Sequence, residues 1–377
     1  MKEKKRIWLS SPHMSGGEQK YLEDVFDTNW IAPTGPHISN FEQELSKISE
    51  NSNIVALSSG TSAIHLSLIL AGVKKNDNVM CSSFTFSASA NPIKYLGANP
   101  IFIDSEKESW NMCPTLLNKA IEQEIKNNKK PKAIILVHLY GMSAKINQLL
   151  AVARKFNIPL IEDAAEALGS KYNHQQLGTF GDFGIYSFNG NKIITTSAGG
   201  ALVCRKKHFI EKANFLATQA RDKAPHYEHS EVGYNYRMSN VCAAIGLGQL
   251  EVLSKRVTAK REIFNFYKHE FSTIKEITFL EESKQSYSNY WLTTILLDKN
   301  SIIDREQLRL YLEEDNIESR PLWKPMHLQP VFKGCKSYLN GVSEDLFYRG
   351  LCLPSGTGMT SEDLKRVVRR VKELYEV

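Results

Sequence analysis

The chain has 377 residues, 42% hydrophobic and 23% charged, enough apolar material for one large domain plus a smaller one and too much for a largely disordered chain. Its net charge of +6 is scattered, and the densest basic runs (Lys2–Arg6, Lys126–Lys132, Lys365–Lys372) read as a solvated terminus, a turn and one helix face, which excludes a nucleic-acid footprint. The cysteines at 81, 113, 204, 242, 335 and 352 show neither a CxxC pair nor metal-ligand spacing, no apolar run reaches membrane-spanning length, and no signal peptide is expected, because no apolar segment follows the charged first residues. The expectation is a cytoplasmic protein with reduced thiols, Cys81, Cys204 and Cys242 acting as small core residues, and no metal, nucleic acid or membrane among its partners.

In chain order, helices are expected at Gly17–Thr28 and Ile38–Ile48. A strand at Ile54–Ser58 and a helix at Thr61–Leu70 follow. The alternation continues with Asn78–Ser82 (strand), Ala88–Leu96 (helix), Pro100–Ile103 (strand) and Thr115–Lys126 (helix). Ala133–His138 is a continuous apolar run, as expected for a strand covered on both faces. Lys145–Phe156 reads as a helix, and Ile158–Glu162, Phe183–Phe188 and Gly200–Cys204 as strands. Such alternation predicts an α/β fold with a mostly parallel sheet flanked by helices. After about residue 240 the pattern changes. Asn240–Phe271 reads as one long helix, broken near Gly246–Gly248 if at all, followed by a strand at Asn289–Leu297, a helix at Arg305–Glu314, and a closing helix at Ser361–Tyr375 capped by Thr360 or Ser361. The division expected is a large domain over residues 1–250 and a smaller α+β domain over 251–377.

In sheets of this kind ligands bind beyond the carboxyl ends of the strands, so the residues placed there carry the chemistry. After Ile54–Ser58 comes Ser59-Gly60-Thr61-Ser62-Ala63, a turn of small residues opening a helix, suited to an anion. After Ile158–Glu162 comes Asp163, beside Glu162. A buried carboxylate needs a cationic partner, and a protonated pyridine nitrogen is one. After Phe183–Phe188 comes Asn189-Gly190-Asn191-Lys192, a lone lysine between two apolar strands, followed by the Gly199-Gly200 pair. Desolvation favours the neutral amine that a Schiff-base lysine requires. A phosphate cradle, a ring-nitrogen carboxylate and an amine nucleophile, in that order, are the three handles needed by pyridoxal 5′-phosphate (PLP).

Five segments then resemble the DegT/StrS-type nucleotide-sugar aminotransferases: Ser59–Leu66, Phe84–Ala88, Glu162–Glu166, Tyr186–Lys192 and Gly233–Arg237. Leu9–Met14 and Asn29–Pro33 resemble a subgroup that includes UDP-4-keto-sugar aminotransferases making bacillosamine-type sugars. The resemblance implies an aspartate-aminotransferase-like fold (PLP fold type I). It implies that Lys192 holds PLP as a Schiff base and moves the substrate proton, that Asp163 pairs with the pyridinium, and that Gly60, Thr61, Ser62 and Ser187 hold the phosphate. Phe86 would stack on the ring, and Asn235 would reach the cofactor of a neighbouring subunit, making a homodimer with shared sites. Glu166 stands where the family often has Gln and is expected at the cofactor ring; Asn189 stands where many members have His. Asn189, Arg237, Arg320 and His327, with the loop Arg221–Tyr236, are the candidates for substrate contacts.

The function implied is transamination from L-glutamate to a nucleotide-linked 4-keto-6-deoxy sugar, with UDP-2-acetamido-2,6-dideoxy-4-keto-hexose as first choice, for bacterial glycan or exopolysaccharide synthesis. The alternatives are a dTDP- or GDP-linked sugar, another PLP reaction on the same fold such as a lyase or dehydratase, and a non-enzymatic PLP-binding regulator.

Overall fold

Ala133–Val137 is buried at every position and lies inside an eight-stranded sheet. The structure, a computed structural model, describes residues 4–376. Its first half runs α1 (Glu18–Asp27), α2 (Pro36–Ile48), β1 (Asn53–Leu57), α3 (Gly60–Leu70), β2 (Asn78–Ser82), α4 (Asn91–Tyr95), β3 (Asn99–Ile103), α5 (Pro114–Lys126), β4 (Ala133–Val137), α6 (Ile146–Phe156) and β5 (Leu160–Asp163). Then come β6 (Lys171–Tyr172), β7 (Gln175–Gln176), β8 (Phe183–Ser187), β9 (Gly200–Cys204), α7 (Lys207–Ala217), α8 (Asn240–Leu250) and α9 (Leu253–Glu270). The last stretch holds β10 (Ile277–Phe279), β11 (Ser286–Tyr287), β12 (Thr293–Leu297), α10 (Arg305–Glu314), β13 (Arg320–Pro321), β14 (Ser337–Tyr338), α11 (Val342–Arg349), β15 (Gly350–Leu353) and α12 (Ser361–Leu374).

The large sheet has the order β1-β9-β8-β5-β4-β2-β3-β14. Its pairings are parallel except those of β9, which runs against both β1 and β8. Alternate residues face opposite cores, as the two-residue strand period demands. Cys81, Ile135 and Ile161 pack with Ile64 and Leu68 of α3, whereas Met80, Ile134 and Leu160 pack with Leu117, Ile121 and Leu149 of α5 and α6. A second sheet, β10-β12-β15-β13, packs with α9, α10 and α12, and a small third sheet joins β11, β6 and β7. None of the described helices is long and apolar enough to cross a membrane, and all six cysteines are free. Cys81 and Cys204 are buried, whereas Cys242 is only half-buried.

Several expected boundaries shift for physical reasons. The long helix Asn240–Phe271 divides into α8 and α9 at Glu251–Val252, not at Gly246–Gly248. Those glycines stay helical because neighbouring helices press on them: a Cβ would lie 2.5 Å from Phe41 Cε2 at Gly246 and 2.8 Å from Glu18 Cα at Gly248. Ala88–Leu96 becomes a 3₁₀ turn, Ser87–Ser89, and then α4, with a proline in the first turn of that helix. Asn289–Leu292 lies outside β12; Tyr290 there adopts φ 44°, left-handed backbone that ends the extended run. Strand β5 runs one residue further than expected and ends on Asp163 itself. Of the basic runs, Lys2 and Glu3 lie outside the described residues, while Lys4 and Arg6 pair with Asp315 and Glu313.

The N-terminal segment acts as a strap. Ile7 forms a parallel bridge with Ile317 and packs among Ile263, Tyr267 and Leu312. The strap enters α1 through Glu18, a carboxylate only 4% exposed. Burial alone would raise its pKa. The Ser15 N–H at 2.9 Å and the Gln249 amide at 2.5 Å, joined by the Ser15 hydroxyl, outweigh burial and bring it down to about 2. A depressed acid stabilises the fold above its unfolded pKa and loses that contribution as pH falls through its folded value. Glu18→Gln is therefore expected to cost about 2 kcal/mol at pH 7, with the gap shrinking by half or more by pH 3; urea denaturation at both pH values measures it, and an unchanged gap would refute the assignment.

Candidate active site

Because β9 is the one reversed strand between β1 and β8, the carboxyl ends of β1, β8 and β5 emerge at one edge. A cavity of about 490 Å³ opens there, bounded by Ser59, Thr61, Asp163, Ser187, Lys192 and Trp323.

The first corner is the start of α3. Ser59 caps the helix, its hydroxyl accepting the Ser62 N–H at 3.0 Å. The next N–H groups, on Gly60 and Thr61, have no acceptor inside the helix and belong to residues that line the cavity. Glycine is required beside this turn. A Cβ on Gly200 would lie 2.3 Å from Gly60 N, and one on Gly60 would lie 3.2 Å from Ser187 Cβ. Close approach of β9 and β8 thus puts the Ser187 hydroxyl at the same corner as Thr61. Ser62 does not line the cavity: its hydroxyl lies 3.1 Å from Ser58 Oγ and 2.8 Å from Ser59 Oγ, so it braces the cap. Ser58 and Ser59 line the cavity instead, and the serine run itself was the signal for them.

Asp163 forms the second corner. It is 5% exposed, receives the Ser89 hydroxyl at 2.6 Å and the Ala165 N–H at 3.2 Å, and has no Lys, Arg or His side chain within ion-pairing distance among the described residues. Thr85 lies 2.7 Å from Ser89 and fixes that hydroxyl in turn. A buried carboxylate at a cavity wall with no cation of its own chain fits a cationic ligand nitrogen. Its neighbour Glu162 does something different. Glu162 accepts N–H groups of Gly178, Phe180 and Gly181 and sits 2.9 Å from His138 Nε2, both side chains wholly buried. The two adjacent carboxylates thus divide between a ligand wall and a structural pair.

The third corner is Lys192, 12% exposed, on the turn after β8. Its Nζ lies 3.5 Å from Glu166 Oε1 and 4.0 Å from the centre of the Trp291 ring. Burial raises the Glu166 carboxyl above the usual range, against the opposing pull of Lys192 and of the Tyr140 N–H, which donates to it at 2.6 Å. Tyr140 presents that N–H from left-handed backbone, φ 53°. Its ring lies near-parallel to those of Trp291 and Trp323, each centroid 6.3 Å away, and Phe86, 51% exposed, continues the wall 5.2 Å from Trp323. Trp291 and Tyr140 were not anticipated. Trp291 lay inside a run that reads as core strand, and nothing in the sequence near Tyr140 announces a contact with it.

The remaining candidates separate. Asn189 is exposed and lines the cavity. Arg320 also lines it, its side chain 66% exposed and paired with Glu318 at 2.6 Å. His327 is half-buried and does not line it, lying 2.6 Å from Ser83 Oγ and 3.1 Å from Glu344 Oε1. Arg237 is engaged by Glu42 and by the Ala56 carbonyl at 3.0 Å. Asn235 is exposed and outside this chain's cavity, bridged through its backbone to Thr218. The loop before it is exposed too, Tyr227 at 78% and Val232 at 83%.

An anion corner of N–H groups and hydroxyls, an uncompensated buried carboxylate and an amine between them match the phosphate, the ring nitrogen and the carbonyl of PLP. Comparison with known proteins agrees. Residues 12–372 match the DegT/DnrJ/EryC1/StrS aminotransferase family. Bacillus subtilis EpsN, provisionally named a pyridoxal phosphate-dependent aminotransferase, is 50% identical over 98% of this chain and 96% of its own. GDP-perosamine synthase of Escherichia coli O157:H7 is 38% identical over 98% of this chain and 99% of its own. The solved structure of Spr1654 from Streptococcus pneumoniae, provisionally named a sugar aminotransferase and known in PLP and PMP forms, superposes with a TM-score of 0.91 at 25% identity, the PLP form covering 99% of both chains. The chain belongs to the DegT/DnrJ/EryC1/StrS family, has the fold of its PLP enzymes, and is a PLP-dependent sugar aminotransferase.

Proposed function

We propose that this member of the family moves an amino group from L-glutamate to the C4 keto carbon of a nucleotide-linked 6-deoxy sugar, in a pathway that builds a bacterial glycan or exopolysaccharide. The observation that carries this is the Lys192 amine held on the Trp291 face, beside Glu166 and in one cavity with the uncompensated Asp163 carboxylate. Bound PLP supplies an electron sink for the bonds at the amine-bearing carbon. The chain does the rest. Gly60 and Thr61 N–H groups with the Thr61 and Ser187 hydroxyls bind the phosphate, and Asp163 keeps a proton on the ring nitrogen. Lys192 Nζ would carry the proton from the donor's amine-bearing carbon to the cofactor, and from the cofactor to the acceptor's carbon in the second half of the transfer. Glu166 orients that amine, and the Trp291–Tyr140–Trp323 wall excludes water from it. Phe86 covers the ring plane from the mouth, and Asn189 and Arg320 meet the sugar nucleotide. Asn235, exposed and outside its own cavity, serves the site of a second copy, so the working unit is a homodimer with shared sites.

For the sugar, the N-terminal segments Leu9–Met14 and Asn29–Pro33 favour UDP-2-acetamido-2,6-dideoxy-4-keto-hexose. The name of the Escherichia coli relative favours a GDP-linked 4-keto-6-deoxy hexose as the second reading. Enzyme converted to its amine-loaded form with L-glutamate, then offered UDP-, GDP- and dTDP-linked 4-keto sugars, separates them. The UDP sugar is expected to react with kcat/KM at least ~10²-fold above the others, followed by the cofactor's near-visible absorbance and the product mass. Preference for the GDP sugar would install the second reading, and no aminated sugar from any of the three would sink the substrate class.

A further inference from the structure

Behind Trp291 lies a buried cation that the transfer chemistry does not use. Lys260, in the middle of α9, is 2% exposed, and no carboxylate lies within ion-pairing distance of it among the described residues. Its Nζ donates to the Trp291 carbonyl at 2.8 Å and to Ser10 Oγ at 3.1 Å. Both acceptors lead to one atom. Trp291 Nε1 donates to the Asn191 carbonyl at 2.7 Å, and Ser10 Oγ donates to the same carbonyl at 3.3 Å. Asn191 is the residue before Lys192. A closed ring of four hydrogen bonds therefore joins Lys260 to the peptide that carries the reactive lysine. One arm passes through the indole on which the Lys192 amine rests, the other through the N-terminal strap.

Direction matters in this ring. The Ser10 hydroxyl donates to Asn191, so its oxygen is free to accept, and an amine hydrogen on Lys260 fills that role. A buried lysine without a carboxylate is costly; burial pulls its amine down to about 7. An apolar side chain would pack at this point of α9 without that cost, but would leave the Trp291 carbonyl and the Ser10 oxygen without a donor.

We infer that Lys260 is a positioning residue for the reaction: by holding Trp291 and Ser10 together on the Asn191 carbonyl, it sets where the Lys192 amine stands in the cavity. The inference rests on Lys192 being the cofactor amine, which Lys192→Ala tests separately. If that variant keeps turnover, the reading beneath has failed; if it loses turnover, the outcomes below bear on Lys260 alone.

The test uses the PLP-loaded enzyme. Lys260→Met keeps the length and removes the donor. Its kcat for the L-glutamate half-reaction is expected to fall about 10-fold with KM within about 2-fold, since misplacement of a reacting group by a fraction of an ångström costs rate and not ground-state binding. The visible circular dichroism of the bound cofactor, which reads its geometry rather than its turnover, should lose about half its intensity. Ser10→Ala removes one arm at the strap and should move kcat about 3-fold and the dichroism in the same direction. The double variant should be no worse than Lys260→Met, because both changes open the same ring. A lower melting temperature with unchanged kcat and dichroism per loaded site would mean that Lys260 is structural only, overturning the inference, as would effects that multiply in the double variant. If Lys260→Met does not fold, Ser10→Ala decides: unchanged kcat and dichroism there overturn the proposal.

Discussion

Lys192→Ala is expected to lower turnover by at least ~10⁴-fold while the protein stays folded. Two separate losses add. The variant lacks the amine that joins the cofactor covalently, and it lacks the base that moves the substrate proton, a step worth about 10²–10⁴ by itself. Little structural cost opposes this, because the Lys192 side chain makes one 3.5 Å contact with Glu166 and one with the Trp291 ring but spans no core. Glu166 then loses its nearby cation, so its carboxyl, already raised by burial, rises further. The measurement is steady-state turnover beside borohydride reduction and peptide mass analysis: wild-type protein should carry the reduced cofactor on the peptide containing Lys192, and the variant nowhere. Turnover within 10-fold of wild type, or a cofactor adduct on another lysine, would defeat the assignment.

Asp163→Asn should follow, with a loss of about 10³-fold in kcat. The substitution keeps the shape, but a neutral amide no longer holds a proton on the ring nitrogen. Removing one preorganised charge partner from a desolvated site costs ~10²–10³ or more in rate. Asp163 sits in a cage built for an anion, with Ser89 donating at 2.6 Å, Ala165 N–H at 3.2 Å, and Thr85 behind Ser89. Each carboxylate oxygen accepts from a different donor, so an Asn that turns its oxygen toward Ser89 faces its NH₂ against the Ala165 N–H and loses that hydrogen bond. Cofactor affinity and the pH dependence of its absorbance should both change, whereas the melting temperature of cofactor-free protein should move little. A kcat within about 5-fold of wild type would show that Asp163 is a helix-side structural acid.

Much of the site was legible because a parallel sheet concentrates chemistry at strand ends, and strand ends can be read from apolar runs. Asp163 terminates β5, Lys192 follows β8 and Gly60–Thr61 follow β1. What the sequence did not carry was which distant partner claims a side chain. Arg237 and His327 look like free cations in a row of letters, yet Glu42, nearly 200 residues earlier, holds one, and Glu344 with Ser83 surrounds the other. The aromatic wall was hidden for the same reason: Tyr140, Trp291 and Trp323 meet only after three separate segments fold together. Gly246 and Gly248 misled in another way. Glycine in a helical pattern signals either a break or a close neighbour, and only the packing of Phe41 and Glu18 distinguishes them.

The strap has a consequence for the order of events at the ribosome. Ile7 finds its partner in Ile317, about 310 residues downstream. At ~5–20 residues per second, ~15–60 s pass between the synthesis of the two. Throughout that interval every strand of the large sheet except β14 can assemble while Ile7 and Leu9 stay uncovered and Ser10 lacks the frame that presents it to Asn191. Residues 7–10 are thus made long before they can be seated. A nascent chain stalled before residue 317 should carry the sheet from β1 to β3, without its edge strand β14, and the phosphate corner, with the turn bearing Lys192 still untied at one side.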